Sequence, residues 1–422
     1  MLRPAYSATG IAITPLLRLW LQRRTVRGKE ESSRLPERFG RASTPRPAGK
    51  LIWLHAASVG ETQSVLTLVR ALLAAHPALH LLITTGTVTS AQLVAQQNLP
   101  RTLHQYVPLD TYPAVRRFLA HWQPDLALWV ESEFWPQLLW QTHARRIPLL
   151  LINARISARS YAGWQRWPSI IHALLQCFST IYAGSSDDAA RASALGGKNV
   201  HDIGNLKFDA EPLGVDTALL AQLEAAAGDR PRWVAASTHA NEEQQIAEIH
   251  QQLLKELPTL LTIIVPRHAN RGDAIALDLR SRGCSVAQRS KNEPITQHTQ
   301  IYLADTMGEL GSFYRFANIA FLGGSLVAHG GHNPLEPARL GCAIITGPHT
   351  HNFTAIMQKM LQAQAIEVVQ HKQHLAQLLN RWLADPTPAH AMAERADILL
   401  QQAQGASATI VQQCGELLGR AP

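Results

Sequence analysis

Several charged side chains in this chain stand directly after short apolar runs and before helical patterns, where open α/β enzymes keep their reacting groups. The first is Glu61, in "LIWLHAASVGETQSVLTLVRALLA". A general base at that point would take a proton from an attacking hydroxyl. Ser58-x-x-Glu61 is also the spacing of a capping box, in which the carboxylate folds back on the start of its own helix. Spacing alone leaves both readings open. "LALWVESEFWPQLL" places Glu131 and Glu133 at the end of an otherwise apolar strand. A carboxylate there is costly unless it has partners or a task. Asn153, Arg155, Ser157 and Arg159 in "INARISARSYAGWQR" form a basic polar loop on the same rim, and "GNLKFD" adds Lys207. This lysine, near the junction of two domains, is placed to reach a phosphate.

A second group of residues has the character of a nucleotide site. In "FLGGSLVAHGGHNPLEPARLGCAIITGPHTHNF", a strand runs into a loop containing Gly323, Gly324, Gly330 and Gly331. Glycines there let the backbone approach a ligand closely. Asn333 then stands at an N-cap, Pro334 at the first helical position and Glu336 two residues on. Free amides and the positive end of a helix suit a phosphate, and Glu336 can accept hydrogen bonds from neighbouring ribose hydroxyls or serve as a cap. "IIVPRHANRGD" ends a buried strand on Pro266, Arg267 and His268, which points Arg267 into a ligand crevice. Met307, Gly308 and Glu309 in "ADTMGELGSFY" open a helix where the backbone can read a base. In "AASTHANEEQ", Ser237 and Thr238 cap a helix or bind an anion.

These residues need a scaffold, and the hydrophobic pattern supplies one. After an N-terminal segment (1–29) and a polar, Pro/Gly-rich linker (30–50), apolar β-like runs alternate with helical patterns. In the first half they are "LIWLHAA", "HLLITT", "DLALWVE", "PLLLIN", "TIYAG" and "VHDIG". The pattern restarts after a linker over 210–229 with "RWVAAS", "LLTIIVP", "CSVAQ", "TQIYLAD", "NIAFLGG", "CAIITG" and "IEVVQ". This alternation predicts two α/β domains, 51–209 and 230–390, each a mostly parallel sheet, followed by a helical segment over 391–422. Two such domains facing a cleft make the GT-B arrangement of many nucleotide-sugar transferases and some sugar-nucleotide epimerases, so fold alone does not choose the chemistry.

Composition narrows the partners. With 39 Lys+Arg against 31 Asp+Glu the net charge is +8, which favours anionic ligands or an anionic membrane surface. The basic residues are scattered, without the runs and interleaved aromatics of a nucleic-acid face. Four cysteines form no C-x-x-C pair, so neither a zinc framework nor a disulfide framework is expected. No D-x-D or H-E-x-x-H motif occurs, and no metal ion or cofactor is expected. The apolar stretch from Ala8 to Leu21 contains Pro15 and Arg18 and precedes Arg23, Arg24, Arg27 and Lys29. It is shorter than the ~20 residues a span needs. It reads as a membrane-surface anchor, or at most one marginal span with its basic flank on the cytoplasmic side, the plainer alternative being an amphipathic helix packed on the first domain.

In their order, "HAASVGE", "VESEFWP", "NARISARS", "GNLKFD", "AASTH", "VPRH", "DTMGEL" and "GGHNPLEPA" closely resemble the 3-deoxy-D-manno-octulosonic acid (Kdo) transferases of lipopolysaccharide synthesis. The resemblance implies a glycosyltransferase that moves Kdo from CMP-Kdo to a lipid A precursor (lipid IVA) with inversion. It places the enzyme at the cytoplasmic face of a bacterial inner membrane. By residue, it makes Glu61 the general base and gives Glu131 and Lys207 transition-state roles. It sets CMP against Pro266-Arg267, Met307-Gly308-Glu309 and Asn333-Pro334-Leu335-Glu336. The alternative is another GT-B enzyme, a hexose transferase or epimerase that uses a UDP-sugar.

Overall fold

The computed structural model describes residues 2–420, and the chain separates into two compact units. One runs to Ala210 and takes back the chain from Ala403 onward; the other is Glu211–Gln402. Each is a seven-stranded parallel sheet with helices.

In the first unit the apolar runs become β1 (Leu51–His55), β2 (His80–Thr85), β3 (Thr102–Tyr106) and β4 (Leu126–Val130). They continue as β5 (Leu149–Ala154), β6 (Thr180–Ala183) and β7 (Val200–Asp202). The sheet order is β3-β2-β1-β4-β5-β6-β7. Central strands β1 and β4 are buried at every position, as a parallel sheet covered on both faces requires. The indole of Trp53 packs edge-on against Trp129 at 5.1 Å and donates to Thr84 Oγ1 at 2.9 Å. That bond satisfies the one polar atom of a fully buried tryptophan.

The second unit repeats the plan with β8 (Arg232–Thr238), β9 (Leu261–Pro266), β10 (Val286–Gln288) and β11 (Ile301–Leu303). β12 (Ile319–Leu322), β13 (Ala343–Thr346) and β14 (Glu367–Val368) complete it. Here the order is β10-β11-β9-β8-β12-β13-β14. In both sheets the strand order reverses at one place, between β1 and β4 and between β8 and β12. Ligands of open α/β sheets sit outside the carboxyl ends of the strands at such a point.

Three expectations about segments change. Residues 30–50 are not a free linker, because Glu30, Glu37 and Arg38 are buried in an ion-pair network. Glu30 pairs with both Arg24 and Arg38 at 2.9 Å, while Arg34 pairs with Glu37 at 2.9 Å and Tyr106 N–H donates to Glu37 at 2.7 Å. The stretch 210–229 contains the helix Thr217–Ala227, which belongs to the second unit. The C-terminal stretch divides between units. The helix Ala406–Arg420 returns to the first, where Ala406, Ile410 and Cys414 join the core beneath β1 and β4.

The N-terminal stretch forms two helices, Leu2–Ala12 and Thr14–Val26. No helix among the described residues is long and apolar enough to cross a membrane. The arm is docked rather than loose: Tyr6 packs edge-on against Trp140, its hydroxyl donates to Asp110 at 2.9 Å, and Leu21 is buried. On its outer side Ile11, Leu16, Leu19 and Trp20 stay exposed.

Candidate functional site

The residues predicted for chemistry follow the carboxyl ends of the strands. Glu61, Glu131 and Asn333–Glu336 follow strands that flank the reversals, whereas Lys207 and Met307–Glu309 come after β7 and β11, further out in the sheets. In the first unit, β1 ends in the loop that carries Ser58 and starts the helix Val59–Ala75. Ser58 Oγ accepts from Glu61 N–H at 3.3 Å, and the Ser58 hydroxyl and Ala57 N–H donate to the Glu61 carboxylate, both at 2.8 Å. The serine cap is therefore present, and the carboxylate closes a variant of the capping box on Ala57 N–H, one residue before the N-cap. It is not the whole description, because burial drives the Glu61 carboxyl from 4.5 to about 7 despite those donors, and nearby Glu131 and Glu133 add to the rise. A carboxyl near 7 is half ionised at neutral pH, the condition of a working general base.

Glu131 follows β4, the strand on the other side of the reversal. Its backbone is left-handed, at φ +57°, which for a non-glycine residue costs roughly 1–3 kcal/mol. Its N–H donates to Ile152 O at 3.1 Å, so the sheet holds the residue in that conformation. Burial raises its carboxyl, and the charges of Lys207 and Arg155 oppose the rise. Glu133 is held differently, with its carboxylate accepting from Trp135 Nε1 at 2.6 Å. Lys207 lies in the turn Leu206–Asp209, which is tied to the sheet by Leu206 N–H donating to Asn153 Oδ1 at 3.2 Å. Asn153 itself has φ +50° and sits where the β5–β6 register shifts. A bulge re-aims side chains at the end of a strand. The fold thus gathers Glu61, Glu131, Glu133 and Lys207; Arg155 and Arg159 stay exposed, and Ser157, also exposed, caps the helix Ala158–Trp164 by accepting from Ser160 N–H at 3.1 Å.

The second unit uses the same devices. Ser237 has φ +56° at a register shift between β8 and β9. A Cβ on Gly323 would lie 2.5 Å from Ser237 O, so only glycine lets the β8 and β12 loops touch. Ser237 and Thr238 do not cap the next helix, which begins later, at Glu242. The Thr238 hydroxyl instead donates to Glu243, which holds Arg271 at 2.9 Å. Glu242, fully buried, accepts from four backbone N–H groups: His239, Gly324, Ser325 and Leu326. It staples the two loops that flank the reversal.

On that staple stands a histidine cluster. His239 stacks on His329 at 4.1 Å and on His332 at 5.2 Å, and the Nε2 atoms of His239 and His332 are 2.9 Å apart. Burial first, then neighbouring imidazoles and Arg267, push both His239 and His332 down to about 4. Arg267 follows Pro266 at the end of β9, is exposed, and donates its N–H to Thr238 O at 3.0 Å. Its charge also reaches Glu336, whose carboxyl is raised by burial and drawn back by Asn333, Arg339 and Arg267.

Asn333 caps as expected, with Oδ1 accepting from Leu335 N–H and Nδ2 donating to Glu336, both at 3.2 Å. Pro334 already has helical angles, but the helix Leu335–Arg339 is five residues long. Its dipole is therefore slight, and local N–H groups and Arg267 remain the cationic features there. In the third loop Met307 is 73% exposed and Gly308 has φ +88°. Glu309 is turned to Arg289 at 2.8 Å, which lowers its carboxyl, and to the Thr306 hydroxyl. The backbone of Met307-Gly308 is what this loop leaves for a ligand.

Two Rossmann-like units of this topology, each with polar groups at the carboxyl ends of its strands, define an α/β protein of the GT-B class. Solved structures of similar fold include a UDP-GlcNAc 2-epimerase from Neisseria meningitidis bound to UDP-GlcNAc, 16% identical, covering 87% of this chain and 100% of that one at a TM-score of 0.58. MurG from Acinetobacter baumannii is 13% identical over 87% of this chain and 100% of that one, at a TM-score of 0.53. Sequence comparison is more specific. A family profile described as "3-Deoxy-D-manno-octulosonic-acid transferase (kdotransferase)" matches residues 33–210. The 3-deoxy-D-manno-octulosonic acid transferase of Haemophilus influenzae is 36% identical over 87% of this chain and 87% of its own length. That of Bordetella pertussis is 33% identical, covering 93% and 94%. A probable mitochondrial Kdo transferase of Arabidopsis thaliana is 38% identical, covering 90% and 88%. The chain belongs to the Kdo transferase family and is a glycosyltransferase.

Reading the sequence alone missed Glu242 and the histidine cluster. The signal was present as two adjacent carboxylates opening a helix after "STH", but their partners lie some eighty residues away.

Proposed function

We propose that this transferase moves Kdo from CMP-Kdo to a glucosamine hydroxyl of a lipid A precursor, with inversion at the transferred carbon. The carrying observation is the Glu61 carboxyl, buried, raised to about 7 and set beside Glu131 at the strand-order reversal. In this reading Glu61 takes the hydroxyl proton as the acceptor oxygen bonds to the anomeric carbon. The bond to CMP breaks and the nucleotide leaves with the electron pair. Glu131 and Lys207 form a charge pair that stabilises an oxocarbenium-like centre. Arg267, Asn333 and Glu336, with Pro266, Pro334 and Leu335 shaping the turn, hold the phosphate and ribose. Met307, Gly308 and Glu309 flank the base. CMP departs as a single phosphate, which side-chain cations can offset without a divalent ion.

The reading also places the arm Leu2–Val26 on the cytoplasmic leaflet of the inner membrane, with Leu16, Leu19 and Trp20 dipping into the interface beside Arg23 and Arg27. The test is mass spectrometry of lipid products from purified protein, CMP-Kdo and a tetra-acylated lipid A precursor, with and without EDTA. Kdo-bearing lipid in both samples is expected. Turnover only with UDP-sugars would overturn the donor assignment, and loss with EDTA would overturn metal independence.

A further inference from the structure

We propose that a pocket of the first unit, formed by Arg18, Arg41 and Arg117, binds the phosphate ester of a membrane lipid. The cavity measures about 370 Å³ and is lined by these arginines together with Ser32, Leu35 and Phe39. The arginines are distant in sequence and come from separate elements. Arg18 lies on the helix Thr14–Val26, Arg117 on the helix Tyr112–Trp122, and Arg41 in the turn after the helix Leu35–Arg38.

Two of them are oriented around one residue. Arg117 Nε donates to Phe39 O at 2.8 Å, and the Arg18 guanidinium lies 5.3 Å from the Phe39 ring centre. Each guanidinium has five N–H donors, so one contact leaves the others available. Among the described residues none of the three arginines forms an ion pair. Burial and then the like charges of Arg41 and Arg18 oppose the charge on Arg117. The nearby carboxylates are committed elsewhere: Glu30 to Arg24 and Arg38, Glu31 to the Tyr106 hydroxyl, and Glu37 to Arg34 and Ser43. Like charges held together without a counter-ion are relieved by an anion, and a phosphate ester can accept from several guanidiniums at once.

Two features point to a lipid rather than to a soluble phosphate. Leu35 and Phe39 give the pocket an apolar wall. The helix that brings Arg18 also carries exposed Leu16 and Leu19. A headgroup seated on the arginines would let its chains run along an apolar surface. This proposal does not depend on the donor, acceptor or catalytic residues proposed above.

The test is calorimetric titration of the full chain with dihexanoylphosphatidic acid below its micelle-forming concentration, so that no membrane potential contributes. One saturable site is expected. R41Q/R117Q should weaken it at least about tenfold, the effect of losing charged hydrogen bonds. R23Q/R27Q removes the same amount of charge at the end of the helix that carries Arg18, outside the pocket, and should leave the affinity unchanged within about twofold. Equal loss in the two double variants, or no loss in R41Q/R117Q, would overturn the pocket. Should R41Q/R117Q melt early, R18Q, which keeps the Arg117–Phe39 bond, must show the weakened binding instead; native affinity in a folded R18Q also overturns it. Inorganic phosphate should bind at the same arginines at least about tenfold more weakly, because it lacks contacts to the apolar wall. Phosphate binding as tightly as phosphatidic acid would overturn the lipid assignment.

Discussion

Replacing Glu61 with Gln separates a base from a cap through stability as well as rate. The native carboxyl is raised from 4.5 to about 7 by burial. In the folded state it therefore holds its proton more tightly than in the unfolded chain. Stability from this group is full below pH 4.5 and is lost as pH rises through about 7. At ~1.4 kcal/mol per tenfold change in proton affinity, the penalty at pH 8 is about 3 kcal/mol. Gln is neutral at every pH and escapes it. Gln also weakens the bonds to Ala57 N–H and the Ser58 hydroxyl, at a cost of about 1 kcal/mol. E61Q should thus match native stability near pH 5 and exceed it by about 2 kcal/mol at pH 8, or roughly 4–8 °C in the melting of a unit this size. Transfer should fall ~10²–10⁴-fold, the usual share of a general base, and the rise of native kcat/KM through pH 7 should vanish. Calorimetry at pH 5 and 8 together with initial rates provides the measurement. An E61Q protein that is active within about threefold and less stable at both pH values would reduce Glu61 to a cap.

Lys207→Met removes the largest favourable charge on Glu131, so the Glu131 carboxyl should titrate higher and kcat/KM should fall ~10²-fold; a pH–rate profile identical to native would remove Lys207 from the machinery. His239 and His332 are pushed down from 6.5 to about 4, so their contribution to stability is full above pH 6.5 and lost as pH falls through about 4. In H332Q the acid decline of unfolding temperature between those values should be shallower, and an unchanged slope would contradict the burial argument. L16E/L19E alters two exposed positions of the N-terminal arm and should move the protein from the membrane pellet to the supernatant with its melting curve intact; continued pelleting would place attachment elsewhere.

The sheets were legible because parallel strands buried on both faces read as continuous apolar runs. "LALWV" and "LTIIV" could hardly be anything else once alternation with helices was recognised. β3, "TLHQY", escaped because it lies at an edge, where His104 and Gln105 interrupt the apolar signal by bonding to other segments. The site's individual residues were visible at strand ends, but their grouping was not. Glu131, Asn153 and Ser237 owe their aim to left-handed backbone that no propensity assigns to Glu or Ser. Glu242 could not be recognised as a staple, since its bonds depend on two loops meeting across a strand-order reversal. The buried network of Glu30, Glu37 and Arg38 looked like linker because a paired charge and a solvated one are identical in sequence.

The return of the helix Ala406–Arg420 to the first unit sets an order on synthesis. This unit's sheet is complete by Asp202, yet Ala406, Ile410 and Cys414 of its core leave the ribosome only after the whole second unit. Until then that core is closed only in part, by Val65, Leu68, Val69 and Leu72 of the helix Val59–Ala75, while nearly two hundred residues are made. The second unit behaves as an insertion and can fold while its neighbour is unfinished. A nascent chain stalled near residue 400 should therefore carry a native second unit and a chaperone-dependent first one, and a frameshift past Gly405 would damage the unit at the opposite end of the gene.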